Sequence, residues 1–398
     1  MAHEYRAICR PRMSNFRGFR TTPYRATAQF SKRPLRLSSL RRSHWVRGGL
    51  LRRRNVSEHR SEEVRSVMKV GFLATQNAFV LETLKRLQLA NLPDEFCSWE
   101  PGQTVPSTDL EVIIAIGKVD STVIGAQGKL GLVQMASAGY EEVDVVSATK
   151  AGVWVGSAPT TKTGNRESVA ELAVLLMIAA SRRLNEELAF THGGAGSRSE
   201  KREEHRALYG KAVCVVGLGG IGGLLIEMLR GFGMILTGVD NFPEHAPNGV
   251  RVYGHDELKI AAADADYLVL AIPGTKENEN LIDETVFAKM KKNAVLVNVG
   301  RGTLVDEPAL LAAVKSGHLF GAGLDVVKDD PVSEGNPLLR EPRIFVTPHI
   351  GGFTDLMLGG TVTYLCEVLS EYRNGFQSEG FVNEPAKPRV PLLDHKRD

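Results

Sequence analysis

Three residues have types that could do chemistry together: Arg301, Asp330 and His349. Each follows a short apolar run that reads as a buried strand. AVLVNV (294–299) leads into Gly300-Arg301-Gly302, GAGLDVV (321–327) into Asp330, and RIFV (343–346) into Thr347-Pro348-His349. In an open parallel sheet, the carboxyl ends of the strands meet at one crevice, and ligands bind there. A guanidinium fork binds a carboxylate in two parallel hydrogen bonds. An imidazole beside a carboxylate is an acid/base poised near neutral pH. Together these groups suit the reduction of a 2-keto acid, which needs its carboxylate held and its carbonyl oxygen protonated.

Positioning such residues requires an α/β architecture, and the chain alternates strand-like and helix-like runs from Lys69 onward. KVGFL (69–73), EVIIAI (111–116), GLVQMA (131–136) and VWVGS (153–157) read as strands of a small doubly wound sheet, with a helix after the first reaching about Ala90. A long helix is expected over roughly 166–189, where Val169, Leu172, Ala173, Leu176 and Ala180 share one face. The polar stretch 191–206 reads as a loop, and a second α/β unit runs from Lys211 to about Val346. A last helix is expected over 354–373, with Leu358, Val362, Leu365 and Leu369 on its buried face, before an irregular proline-containing tail.

The second unit opens with AVCVV (212–216), Gly217-Leu218-Gly219-Gly220-Ile221-Gly222, and an amphipathic helix. In such a turn Gly217 permits the bend, Gly219 lets the backbone approach a pyrophosphate, and Gly222 lets helix and strand pack closely. The phosphates then lie at the positive end of the helix. The strand MILTGVD (234–240) ends in Asp240, eighteen residues past Gly222, and no Arg or Lys occurs between Asp240 and Arg251. An acid there accepts from ribose hydroxyls and repels an added phosphate, which favours NAD over NADP.

With these motifs in order, the chain resembles the D-isomer-specific 2-hydroxyacid dehydrogenases from Met68 to about Gly375. GKAVCVVGLGGIG (210–222), NVGRGTLVDEPALLAAVKSGHLFGAGLDVV (298–327), TPHIGG (347–352), SAGYEEVDV (137–145) and SVAELAVLLM (168–177) carry the likeness. The resemblance implies two doubly wound parallel-sheet domains, a Rossmann cofactor domain (168–349) inserted in a flavodoxin-like substrate domain (68–167 plus 350–385). A basic leader (1–67) and a tail (386–398) flank them. It implies reduction of a small 2-keto acid such as glyoxylate, hydroxypyruvate or an aryl pyruvate with NAD as cofactor, in a homodimer formed through the cofactor domains. Arg301 would bind the substrate carboxylate and carbonyl, His349 would exchange the proton, and Asp330 would pair with His349. The backbone of Ala138 and Gly139 would help hold the carboxylate. The cofactor would be lined by Gly217, Gly219, Gly220, Ile221, Gly222, Asp240, Pro273, Asn298, Asp325 and Gly351, with Asp325 against the nicotinamide carboxamide.

The chain also departs from the family pattern. Aspartate stands at 330 where glutamate is usual, and Gly220 stands where arginine is common. The stretch from Pro159 to Val169 is about three residues longer than usual, and Lys118 is the nearest candidate for a substrate-phosphate contact. A non-catalytic NAD-sensing scaffold, like the corepressors of this fold, is the alternative reading.

Bulk properties bound the rest. In residues 1–57, fourteen arginines and Lys32 stand against Glu4 alone, a formal +14, which leaves the remainder 34 basic and 45 acidic residues, a formal −11. The globular part is therefore not expected to bind nucleic acid. Cys9, Cys97, Cys214 and Cys366 show neither paired nor zinc-ligand spacing, so unpaired thiols and no metal site are expected. The longest apolar run, VAELAVLLMIAA (169–180), is too short to span a membrane. The Arg- and Ser-rich leader has the composition of a mitochondrial presequence; a disordered tail or an upstream extension fits it too, with MKVGFL starting the domain. The location expected is mitochondrial in the first case and cytoplasmic otherwise.

Overall fold

The computed structural model describes residues 67–90, 92–193, 205–329 and 332–394. Apart from Val67, the expected leader lies outside the described residues. The chain builds two parallel sheets whose central strands are apolar on both faces, the pattern of strands covered by helices on either side.

The first sheet contains β1 (Lys69–Ala74), β2 (Glu95–Trp99), β3 (Val112–Ile116), β4 (Leu132–Met135) and β5 (Trp154–Gly156), in the order β2-β1-β3-β4-β5. That is the flavodoxin-like order expected for this half. Helices α1 (Ala78–Leu89), α2 (Ser121–Gly125) and α3 (Val145–Lys150) connect the strands. The Asn77 side chain caps α1 by accepting from the Val80 N–H at 3.0 Å. Strand β2 was not anticipated. Its sequence, EFCSW, shows no long apolar run because it is an edge strand of which only Trp99 is buried.

Two helices follow β5, not the single long helix expected. Helix α4 (Asn165–Ser181) buries the predicted face and packs Leu176 and Met177 into the core of the second sheet. The chain then breaks at Arg183, which adopts a left-handed backbone (φ 48°), before α5 (Leu184–His192). Tertiary contacts stabilise the break. The Arg183 guanidinium lies over the Phe320 ring, and the Asn185 amide donates to the Ile344 carbonyl at 2.9 Å. Helix α5 also covers the first two residues of the expected 191–206 loop.

The second sheet contains β6 (Ala212–Val216), β7 (Ile235–Val239), β8 (Arg251–Tyr253), β9 (Tyr267–Leu270), β10 (Ala294–Asn298), β11 (Leu319–Leu324) and β12 (Ile344–Val346). Helices α6 (Gly220–Gly231), α7 (Leu258–Ala263), α8 (Glu284–Phe287) and α9 (Glu307–Lys315) connect them. The order β12-β11-β10-β9-β6-β7-β8 is the Rossmann arrangement extended by one strand, and its switch point falls between β6 and β9.

Helix α10 (Asp355–Arg373) returns to the first sheet. Tyr364, Leu365, Val368, Leu369 and Tyr372 join Val70, Phe72, Val80 and Leu87 in one core. Its buried face is thus turned from the expected one, with Leu358 and Val362 only half-buried. The Arg373 guanidinium reaches the buried Asp94 carboxylate and ties the helix end to the turn before β2. The tail is irregular, as read from its prolines, yet it is pinned down. The Trp154 indole donates to the Val390 carbonyl at 2.9 Å, and Arg389 donates to the Gln127 and Leu130 carbonyls.

Candidate active site

The carboxyl ends of β10, β11 and β12 carry the residues singled out first. Arg301 follows β10 on a turn held by Asn298, which is fully buried: its amide donates to the Arg301 carbonyl at 2.8 Å and its oxygen accepts from the Gly300 N–H at 3.0 Å. Asn298, expected to line the cofactor cleft, thus holds the arginine turn with its side chain. The guanidinium is half-buried and points across to the first sheet. It lies 3.4 Å from the Glu141 carboxylate, and a methyl group on Gly139 would collide with it. This brings Arg301 together with the Ala138–Gly139 loop after β4, as a substrate carboxylate site needs. Glu141 was not singled out in the sequence, although it is the acid nearest Gly139 in SAGYEEVDV.

His349 follows β12 on an exposed turn with a left-handed backbone, φ 52°. A non-glycine residue pays strain in that conformation and keeps it only where neighbours enforce it. Asp325 is the enforcer. Its carbonyl accepts from the His349 N–H at 2.9 Å. Its carboxylate accepts from the Thr347 hydroxyl at 2.6 Å and from the N–H groups of Ile350 and Gly351, each at 2.9 Å. Asp325, expected against the nicotinamide carboxamide, is buried. Its placement is that of a cap on the histidine turn, with Gly351 buried against it. Since the Asp325 N–H also donates to the Asn298 carbonyl at 2.9 Å, one hydrogen-bonded path joins the arginine and histidine turns. Asp330, expected to pair with His349, lies outside the described residues.

The glycine-rich turn sits at the switch point. Gly217 has φ 91°, and a side chain there would strike Ile272 and Ala271. A methyl on Gly222 would overlap the Gly217 carbonyl, whereas one on Gly219 would meet nothing within 4 Å. The turn is thus tight at its ends and open in the middle, and no side chain caps the N-terminus of α6. Asp240, just past β7, accepts from the Leu218 N–H at 2.7 Å and the Phe242 N–H at 2.8 Å. Ile221 is half-buried in the first turn of α6, and exposed Pro273 follows β9, its carbonyl accepting from Asn278. Open backbone amides, a helix N-terminus and a neighbouring carboxylate fit the diphosphate and ribose of a dinucleotide.

Residues 174–351 match the family described as D-isomer specific 2-hydroxyacid dehydrogenase, NAD binding domain. A glyoxylate reductase of Thermococcus kodakarensis is 33% identical over 295 residues, 72% of this chain and 87% of that protein. The chain belongs to the D-isomer specific 2-hydroxyacid dehydrogenase family. A D-3-phosphoglycerate dehydrogenase of Methanocaldococcus jannaschii is 34% identical over 291 residues, which cover 73% of this chain but 54% of that protein. The chain thus spans about half the length of the phosphoglycerate dehydrogenases it matches. Among solved structures, the NADPH-dependent glyoxylate/hydroxypyruvate reductase of Sinorhizobium meliloti, with NADP and malonate, superposes with a TM-score of 0.69 at 25% identity over 82% of this chain and 98% of that one. The α/β fold of two parallel sheets is that of the family, and the second sheet is its NAD-binding domain.

Among the described residues, no group of three or more His, Cys, Asp or Glu side chains could hold a metal ion, and no helix is long and apolar enough to cross a membrane. Burial raises the Cys214 thiol to about 12, so it stays protonated and inert behind the glycine-rich turn.

Proposed function

We propose that this protein reduces a small 2-keto acid to the D-2-hydroxy acid with NADH. The observation that carries the reading is Arg301 reaching from the second sheet to the Gly139 loop of the first, at the ends of the strands that carry His349. Arg301 binds the substrate carboxylate with its planar fork, helped by the backbone amides of Ala138 and Gly139. His349 gives a proton to the carbonyl oxygen during reduction and takes it back during oxidation, with Asp330 the acid assigned to face it. Bound NADH supplies the hydride. Asp240 holds the ribose and disfavours the added phosphate of NADPH. The relatives named for glyoxylate and hydroxypyruvate support a substrate of two or three carbons.

The test is NADH oxidation by the full chain against a panel of 2-keto acids, with His349→Ala beside it. Loss of a general acid should lower kcat by about 10²–10⁴-fold while NADH still binds. A chain that binds NADH and turns over none of the panel would sink the catalytic reading.

A further inference from the structure

The lengthened segment between the two sheets, Pro159-Thr160-Thr161-Lys162-Thr163-Gly164, is an ordered turn. The Lys162 N–H donates to the Pro159 carbonyl at 3.0 Å, and the Arg166 N–H to the Thr160 carbonyl at 3.3 Å. Thr163 is buried, and Gly164 (φ 73°) starts α4. This turn lies against the glycine-rich loop. A Cβ built on Gly220 would be 2.5 Å from the Thr160 hydroxyl oxygen and 3.6 Å from the Thr161 methyl. The space that a side chain at position 220 would take is therefore filled by a hydroxyl from elsewhere in the chain. Of the two threonines, only Thr160 presents its oxygen there, and Lys162 is engaged by Glu379 at 3.1 Å.

We propose that Thr160 is a diphosphate ligand: its hydroxyl donates to a pyrophosphate oxygen of NAD seated at the N-terminus of α6, replacing the side-chain contact that Gly220 cannot make. The inference rests on NAD lying along the glycine-rich turn. It accounts for the lengthened segment and the bare glycine together, because a side chain at 220 and the hydroxyl of Thr160 exclude each other. Since Thr160 belongs to the covalent connection between the sheets, the same bond would fasten that connection to the cofactor fold.

The experiment is calorimetric titration of the full chain with NADH and with ADP-ribose, which keeps the diphosphate and lacks nicotinamide. Thr160→Val preserves shape and removes the donor, so both ligands should bind about tenfold more weakly, the scale of a hydrogen bond to a charged group. Thr160→Ser should bind within about threefold of the natural chain, since it keeps the donor. The melting midpoint without ligand should not move in either variant. Gly220→Ala should weaken NADH binding in the natural chain and cost little more in Thr160→Ala, where the methyl has room. Unchanged NADH affinity in Thr160→Val overturns the proposal, as does a loss confined to NADH or an equal cost of Gly220→Ala in both backgrounds. A natural chain that binds neither ligand overturns the NAD reading and this inference with it.

Discussion

Arg301 faces an acid of its own protein before any substrate arrives. On the proposed reading the Glu141 carboxylate, 3.4 Å from the guanidinium, stands where the substrate carboxylate would go, and binding would exchange one carboxylate for another. Both side chains are more than a third exposed, so the pair is weak, within about 1 kcal/mol. Glu141→Gln should therefore lower KM for a 2-keto acid by up to about fivefold and leave kcat nearly unchanged. Arg301→Lys keeps the charge and loses the fork, and should lower kcat/KM by about 10–100-fold. Asp325 acts through His349. In Asp325→Asn, an N–H₂ group would face either the Gly351 or the Ile350 N–H, leaving buried donors opposed. The expected cost is about 1–3 kcal/mol in urea unfolding, with kcat reduced because the strained histidine turn is released. Unchanged stability would show that Asp325 does not enforce that turn.

At the scale of elements, the second sheet was the more legible half. Its glycine turn, strand-end arginine and strand-end histidine are local signals, each made by a few adjacent residues that must take unusual backbone shapes. Gly217 and Gly222 show why. One needs a positive φ, and the other tolerates no Cβ against the Gly217 carbonyl. Gly222→Ala should cost about 1–3 kcal/mol in stability and weaken NADH binding, because the turn must open to admit the methyl. A variant as stable as the parent would count against that packing. The elements that escaped the sequence are set by partners far along the chain. The α4–α5 break depends on Phe320 and Ile344, and edge strand β2 gains its place by pairing with β1. The meeting of Glu141 with Arg301 is likewise a contact between residues 160 positions apart, which no spacing rule could have revealed. The Asp325 carboxylate, expected against the nicotinamide carboxamide, also accepts from the Thr347 hydroxyl and from two N–H groups of the histidine turn, partners distant in sequence.

At the scale of the whole molecule, α4 is apolar nearly all the way round. One face fills the core of the second sheet, yet Leu175 and Ile178 on the other remain exposed. A helix apolar on every side is normally covered on every side. Ile178 lines a cavity with Leu208, Tyr209 and Phe232, edged by Arg182 and Arg206, and Tyr209 is 81% exposed, so apolar side chains of α4 and of the end of α6 share one surface depression. Scattered apolar residues need no partner, but a contiguous patch on a soluble fold marks an interface. The family resemblance implies a homodimer formed through the cofactor domains, and on that expectation a second copy of this chain would cover the patch. A two-fold axis would then set the same patch against itself. Sedimentation of the full chain at micromolar concentration should give a two-chain mass. Ile178→Glu combined with Tyr209→Glu, which places four carboxylates in such an interface, should give a one-chain mass with far-ultraviolet circular dichroism unchanged. A natural chain that sediments as one copy would assign the patch to another partner, and a dimer that survives both substitutions would move the interface elsewhere.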